Sequence, residues 1–164
     1  MTPLMTRSAM ILGLLLMAFT RPERAPDFVL SDLDGGLFKL SEHLSKGPIL
    51  INFWATWCVP CHAEMRKLKE IHERYASRGL TILAIAIDDP KTVGKVKSFV
   101  NTNRYPFQFL LDTDNKVFKL YQGSNPPLSV LLDKAGEIVY THTGYRKGDE
   151  KKLAEQIVRL LPPE

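Results

Sequence analysis

Residues 49–61 read ILINFWATWCVPC, and this stretch decides the fold. Pro48–Phe53 is a short, nearly continuous apolar run, the pattern of a strand covered on both faces. From Pro60 to Arg78 the apolar positions switch to helical spacing, with Met65, Leu68, Ile71 and Tyr75 on one stripe. Cys58 and Cys61 therefore sit where a buried strand hands over to an amphipathic helix. A thiol at a helix N-terminus faces unpaired backbone N–H groups and the positive end of the dipole, so its thiolate is favoured. Cys58, the outer of the two, is expected to attack, and Cys61, one turn in, to resolve the mixed disulfide. Pro60 suits the first helical turn, where its missing N–H costs nothing. Trp57 offers an apolar platform that shields the sulfur and touches a partner chain, with Val59 and Pro60 beside it.

Outward from this stretch, Phe28 and Leu30, then Leu37, Phe38 and Leu40, flank a turn-rich Asp32–Gly36 and predict a hairpin. Leu80–Ile87 reads as a second buried strand, Lys91–Arg104 as a helix through Val93, Val96 and Val100, and Phe107–Leu111 as a strand. Asn115–Tyr121 reads as a short helix. Ser129–Leu132 and Ile138–Thr141 pair around the turn Asp133–Gly136, and Gly148–Leu161 closes the chain as a helix with Leu153, Ile157, Leu160 and Leu161 on one face. Strands and helices alternate early and strands pair late, so the class is α/β with a mixed central sheet.

The 164 residues suffice for one domain after a leader, and 45% apolar with 24% charged residues is the balance of a folded core. The net charge is +4, of which Arg7, Arg21 and Arg24 against Glu23 leave +2 beyond residue 26. That excess and the lack of a basic stripe with interleaved aromatics argue against nucleic acid as a partner. Arg7 followed by the apolar run Ala9–Phe19 marks residues 1–24 as a signal peptide or membrane anchor, with residues 25–164 as the domain. The run is short of the ~20 residues of a spanning helix, but MAFTRPERA lacks a good cleavage pair, which keeps the anchor open. The chain is expected to be exported, periplasmic or otherwise extracytoplasmic. An exported chain whose two cysteines form one vicinal pair points to redox work.

Rival readings exist for the pair. Zinc wants four ligands, so His62 and one of His43, His72 or His142 would have to complete a site. Cys58–His62 spells CVPCH, the pattern of c-type haem attachment, with His62 as axial ligand. A peroxidase needs a lone nucleophile preceded by T-x-x-C, which is absent before Cys58. A non-catalytic binding module would keep its affinity with both cysteines replaced. His62 otherwise reads as a partly exposed neighbour that tunes Cys58, Phe53 and Trp54 as core, and Asp88-Asp89 as a helix cap.

The motifs APDFVLSDLDG, INFWATWCVPC, PLSVLLD and DKAGEIV resemble the TlpA/ResA type of thioredoxin-fold protein from about Ala25 to Leu161. The resemblance implies a four- to five-stranded sheet with flanking helices, an added hairpin at residues 27–40 and a central insertion at roughly 89–105. It implies a thiol–disulfide oxidoreductase with no cofactor or metal beyond the redox-active disulfide of Cys58 and Cys61. It favours a reductase fed by a membrane electron donor and passing electrons to exported disulfide proteins, for example apocytochrome c. Pro127 matches the family's cis-proline, beside the cysteines. The residue before it, whose backbone pairs with the substrate strand in this family, is Pro126, which has no N–H to give. Asn52 stands where thioredoxins carry a buried Asp. Glu64 matches an acidic residue near the cysteines and is expected to move the proton of Cys61, unless it is a solvent-facing glutamate beside Lys67 and Lys69. Arg66 replaces a helix-kinking proline, so the helix is expected to run straighter.

Overall fold

The computed structural model describes residues 23–163. Most of the expected leader lies outside them. Seven strands make one mixed sheet: β1 (Val29–Asp32), β2 (Leu37–Lys39), β3 (Ile49–Trp54), β4 (Thr81–Ala86), β5 (Gln108–Leu111), β6 (Leu128–Leu132) and β7 (Ile138–Thr143). Helices α1 (Val59–Tyr75), α2 (Val93–Asn103), α3 (Lys116–Leu120) and α4 (Asp149–Leu160) flank it. The spatial order is β2-β1-β5-β4-β3-β6-β7.

The apolar runs take the middle of this order. Every residue of β3 and β6 is buried, and only Thr81 of β4 is not. β3 and β4 are parallel, as are β4 and β5, so each step needs a crossover, supplied by α1 and α2. β6 lies antiparallel to β3 on its other side, with Phe53 opposite Leu128 and Ile49 opposite Leu132. The five strands β5-β4-β3-β6-β7 are the core sheet expected from the sequence. The hairpin β1–β2 extends it by antiparallel pairing of β1 with β5. Asp32 closes the hairpin turn by accepting from the N–H groups of Asp34 and Gly36. Tyr121 ties the incoming strand down, its hydroxyl donating to the Pro26 carbonyl at 2.7 Å.

Segment 89–105 is the β4-to-β5 crossover, a short 3₁₀ turn over Pro90–Thr92 followed by α2. Of its expected stripe only Val96 is fully buried, because Phe99 takes the second contact position, packing on Trp54 with ring centroids 5.0 Å apart. The fold also begins slightly earlier than the predicted boundary. Arg24 bridges to Glu137 and the Glu23 carbonyl accepts from the Ile138 N–H, so both residues belong to the folded unit. α1 runs unbroken for 17 residues through Arg66, as the missing proline predicts. Among the described residues no helix is long and apolar enough to cross a membrane.

Candidate active site

The loop Ala55–Trp57 carries the chain from β3 into α1, and Cys58 is the N-cap, with extended backbone at φ −90° and ψ 98°. Its sulfur accepts from the Cys61 N–H at 3.3 Å, one of the donors that a helix start leaves unpaired. The two cysteines are joined as a disulfide with their Cα atoms 5.3 Å apart. Cys58 is 4% exposed and Cys61 wholly buried. The chain neighbours of Cys58, Trp57 (63% exposed), Val59 (77%) and Pro60, present apolar surface to solvent.

The loop is pinned from below. Asp88, two residues beyond β4, accepts from the Thr56 N–H at 2.9 Å and from the Thr56 hydroxyl. Only Asp89 is a helix cap, accepting from the Lys91 N–H at 2.8 Å. Asp88 is buried instead, because parallel pairing brings the end of β4 beside the end of β3, where the Ile87 N–H meets the Trp54 carbonyl.

A polar row crosses the sheet beneath α1. Register places Asn52 of β3 opposite Ser129 of β6, and Ser129 opposite His142 of β7. Directly opposite residues share a face. Glu64 lies over this row, 4% exposed, three residues beyond Cys61 on the same helix. Its carboxylate accepts from the Asn52 amide at 2.8 Å and the Ser129 hydroxyl at 2.9 Å. The Asn52 amide also donates to the Ser129 oxygen at 3.0 Å. Burial is the larger influence and raises the Glu64 pKa to about 7, against the lowering effect of the two hydrogen bonds. The solvent-facing alternative for this residue is thereby excluded, and Lys67 pairs with Glu70 at 2.7 Å instead. At the outer end of the row His142 Nε2 meets the Asp149 carboxylate at 3.1 Å. Sequence reasoning missed Ser129 and named His142 only as a possible zinc ligand, not as part of this row. The visible signal was a lone hydroxyl inside the apolar run PLSVLLD.

The bond between Pro126 and Pro127 is cis. Pro127 is buried and Pro126 half-buried, and the Pro127 carbonyl accepts from the Gly144 N–H at 2.7 Å. Since Leu128 lies opposite Phe53, Pro127 stands at the end of the sheet from which the Cys58 loop departs. His62 is half-buried, as expected, and its ring stacks on Phe99 of α2 with centroids 4.7 Å apart. That packing takes up the imidazole that a haem attached at CVPCH would need as its axial ligand. Among the described residues no group of three or more His, Cys, Asp or Glu is placed to hold a metal ion.

A thioredoxin-type sheet with a Cys–x–x–Cys disulfide at the mouth of its first long helix defines a thiol–disulfide oxidoreductase. Residues 21–157 match the redoxin family, and the chain belongs to it. It is 38% identical over 134 residues to the thiol-disulfide oxidoreductase ResA of Geobacillus kaustophilus, covering 81% of this chain and 75% of the relative. The ResA of Halalkalibacterium halodurans is 33% identical over 142 residues, covering 87% and 77%. A crystal structure of a thiol:disulfide interchange protein of the thioredoxin family from Chlorobium tepidum superposes with a TM-score of 0.74. It is 26% identical, with 87% of this chain and 99% of that chain covered.

Proposed function

We propose that the protein reduces disulfides of exported proteins outside the cytoplasm, drawing electrons from a membrane donor through its leader-tethered or released domain. The observation that carries the exchange chemistry is Glu64, held in a buried network one turn from Cys61 with a proton affinity near neutrality. A carboxyl there takes the Cys61 proton when a partner's disulfide is broken and returns it in the reverse step, so the reducing direction rests on the likeness to ResA.

The thiolate of Cys58 attacks one sulfur of the partner's disulfide, forming a mixed disulfide and expelling the other sulfur as a thiolate. Glu64 takes the proton of Cys61. The Cys61 thiolate then attacks the Cys58 sulfur, closing the protein's own disulfide and releasing the partner's second thiolate. Two electrons pass to the partner, and the proton rests on Glu64. Trp57, Val59 and Pro60 form the surface that receives the partner, with Pro126 and Pro127 across from them. Pro126 offers no N–H to an extended chain, so contact here relies more on apolar surface than on backbone pairing. Apocytochrome c, which presents a vicinal cysteine pair in an unfolded segment, has the chemistry of a suitable partner.

Cys61→Ser tests the exchange: mixed disulfides with exported proteins are expected to accumulate through Cys58 and to vanish in the double variant Cys58→Ser, Cys61→Ser. Retained partner binding with both cysteines replaced would favour a non-catalytic module instead. Equilibration with glutathione tests the direction. A potential as oxidising as about −120 mV, that of a strong dithiol oxidant, would overturn the assignment as a reductase.

A further inference from the structure

Taking the Cys61 proton leaves it on a carboxyl that is sealed from solvent. Glu64 reaches bulk water neither directly nor through Asn52 and Ser129, whose amide and hydroxyl both point donors at it. On its outer side, however, Glu64 borders a small cavity of about 10 Å³. That is the room one water molecule needs. The cavity lies between α1, β6, β7 and α4, and its polar rim includes Glu64, Ser129, His142, Tyr145 and Asp149. At the far side His142 and Asp149 are each about one-third exposed, at 34% and 32% of their side chains.

Resting on the proposed role of Glu64, we propose that His142 is the proton outlet of the site. It receives the proton of Glu64 through the cavity and passes it to solvent, positioned by Asp149. The tautomer follows from the hydrogen bond: a carboxylate only accepts, so Nε2 carries the hydrogen toward Asp149 and Nδ1 is left as the basic atom. Asp149 is itself fixed by the Arg146 N–H at 2.7 Å, at the start of α4. The other titratable groups around Glu64 do not serve. Tyr145 donates its hydroxyl to Glu150 at 2.9 Å, and burial raises its pKa to about 12, so it keeps its proton. The Tyr140 hydroxyl is likewise pushed up by burial. Glu150 is taken up by Tyr145 and the Gly148 N–H. Lys67, on the same helix, is engaged with Glu70.

The transfer moves one proton and no electrons: the Glu64 O–H bond breaks, His142 gains and then loses a hydrogen, and Glu64 returns to its carboxylate. The test separates sulfur chemistry from proton release in a single turnover of the reduced full-length protein. The probe is 5,5′-dithiobis(2-nitrobenzoate), whose coloured thiolate leaves without taking up a proton. The first thiolate reports attack by Cys58, the second reports resolution by Cys61, and a pH indicator read at longer wavelength reports the released proton at pH 8. In the parent, proton and second thiolate are expected together. In His142→Gln both thiolates keep their rates while the proton trails by about a hundredfold, the lower end of the range for a single general base. Added imidazole closes the gap, and closes it further in His142→Ala, where the space for it is open. Coincident release in both variants, or a lag that imidazole leaves untouched, overturns the proposal. Glu64→Gln tells the two levels apart. If its second thiolate is released at the parent rate, the role of Glu64 falls. If that step is slowed but the His142 variants show no lag, only the outlet falls.

Discussion

Glu64 is where the physics of one residue is most exposed. Its carboxyl is held folded at a pKa of about 7, against 4.5 in an open chain, because burial outweighs two donated hydrogen bonds. In the unfolded chain it ionises first as pH rises, so between these two values the folded form binds the extra proton and stability falls with pH. The shift corresponds to about 3 kcal/mol, lost between pH 4.5 and 7 and absent as a further slope above. Glu64→Gln in the oxidised protein is expected to flatten that slope. Denaturation midpoints should match the parent below pH 4.5 and exceed it above pH 7. Kinetically the same variant should slow resolution by Cys61 about a hundredfold, the lower range of lost proton transfer, while leaving attack by Cys58 unchanged. Rapid-mixing thiolate release measures both.

At the scale of elements, the loop between β3 and α1 is set by its neighbour rather than by its own sequence. Asp88 holds Thr56 by two bonds, one from the backbone and one from the hydroxyl. Asp88→Ala removes both acceptors and leaves a half-buried N–H unpaired, which costs about 1 kcal/mol. Its urea midpoint should fall, and attack by Cys58 should slow because Trp57 and the cap position are no longer fixed. Gly136, in the β6–β7 turn, has φ +83°, and a Cβ there would stand 2.9 Å from the Leu44 Cδ1 atom. Gly136→Ala is expected to lower stability by more than about 1 kcal/mol with exchange rates intact, since the turn lies at the other end of β6 from Pro127. The strand-to-helix handover at Cys58 was legible because burial on both faces and the helical stripe Met65, Leu68, Ile71 and Tyr75 are periodic signals. Glu64 stood out through the resemblance alone, since one helical turn from Cys61 does not by itself decide between a buried and a solvent-facing carboxyl. The partnership of Asn52, Ser129 and His142 was not legible, because it arises from register between strands 77 and 13 residues apart in sequence. Asp88 was misread for the same reason: its partner, Thr56, comes from the loop after a different strand.

Across the whole molecule, the hairpin β1–β2 and the five core strands act as one sheet, yet they meet mainly through β1 and β5 and through the contacts of Tyr121. Phe28 packs edge-on against Tyr121 with centroids 6.1 Å apart, and Phe53 lies 5.6 Å from the same ring. Tyr121→Phe keeps these contacts and removes only the bond to Pro26, so a loss of about 1 kcal/mol is expected without change in exchange kinetics. Hydrogen exchange should show faster opening of β1 than of β3. The sequence has two tryptophans, and the fold gives them opposite surroundings: Trp54 is sealed in the core while Trp57 stands in water beside the reactive sulfur. Disulfides quench a neighbouring excited indole, so the near-ultraviolet emission of Trp57 should brighten when the pair is reduced and shift in wavelength when another chain covers it. The molecule thus carries its own optical gauge of charge and discharge, readable without any attached dye.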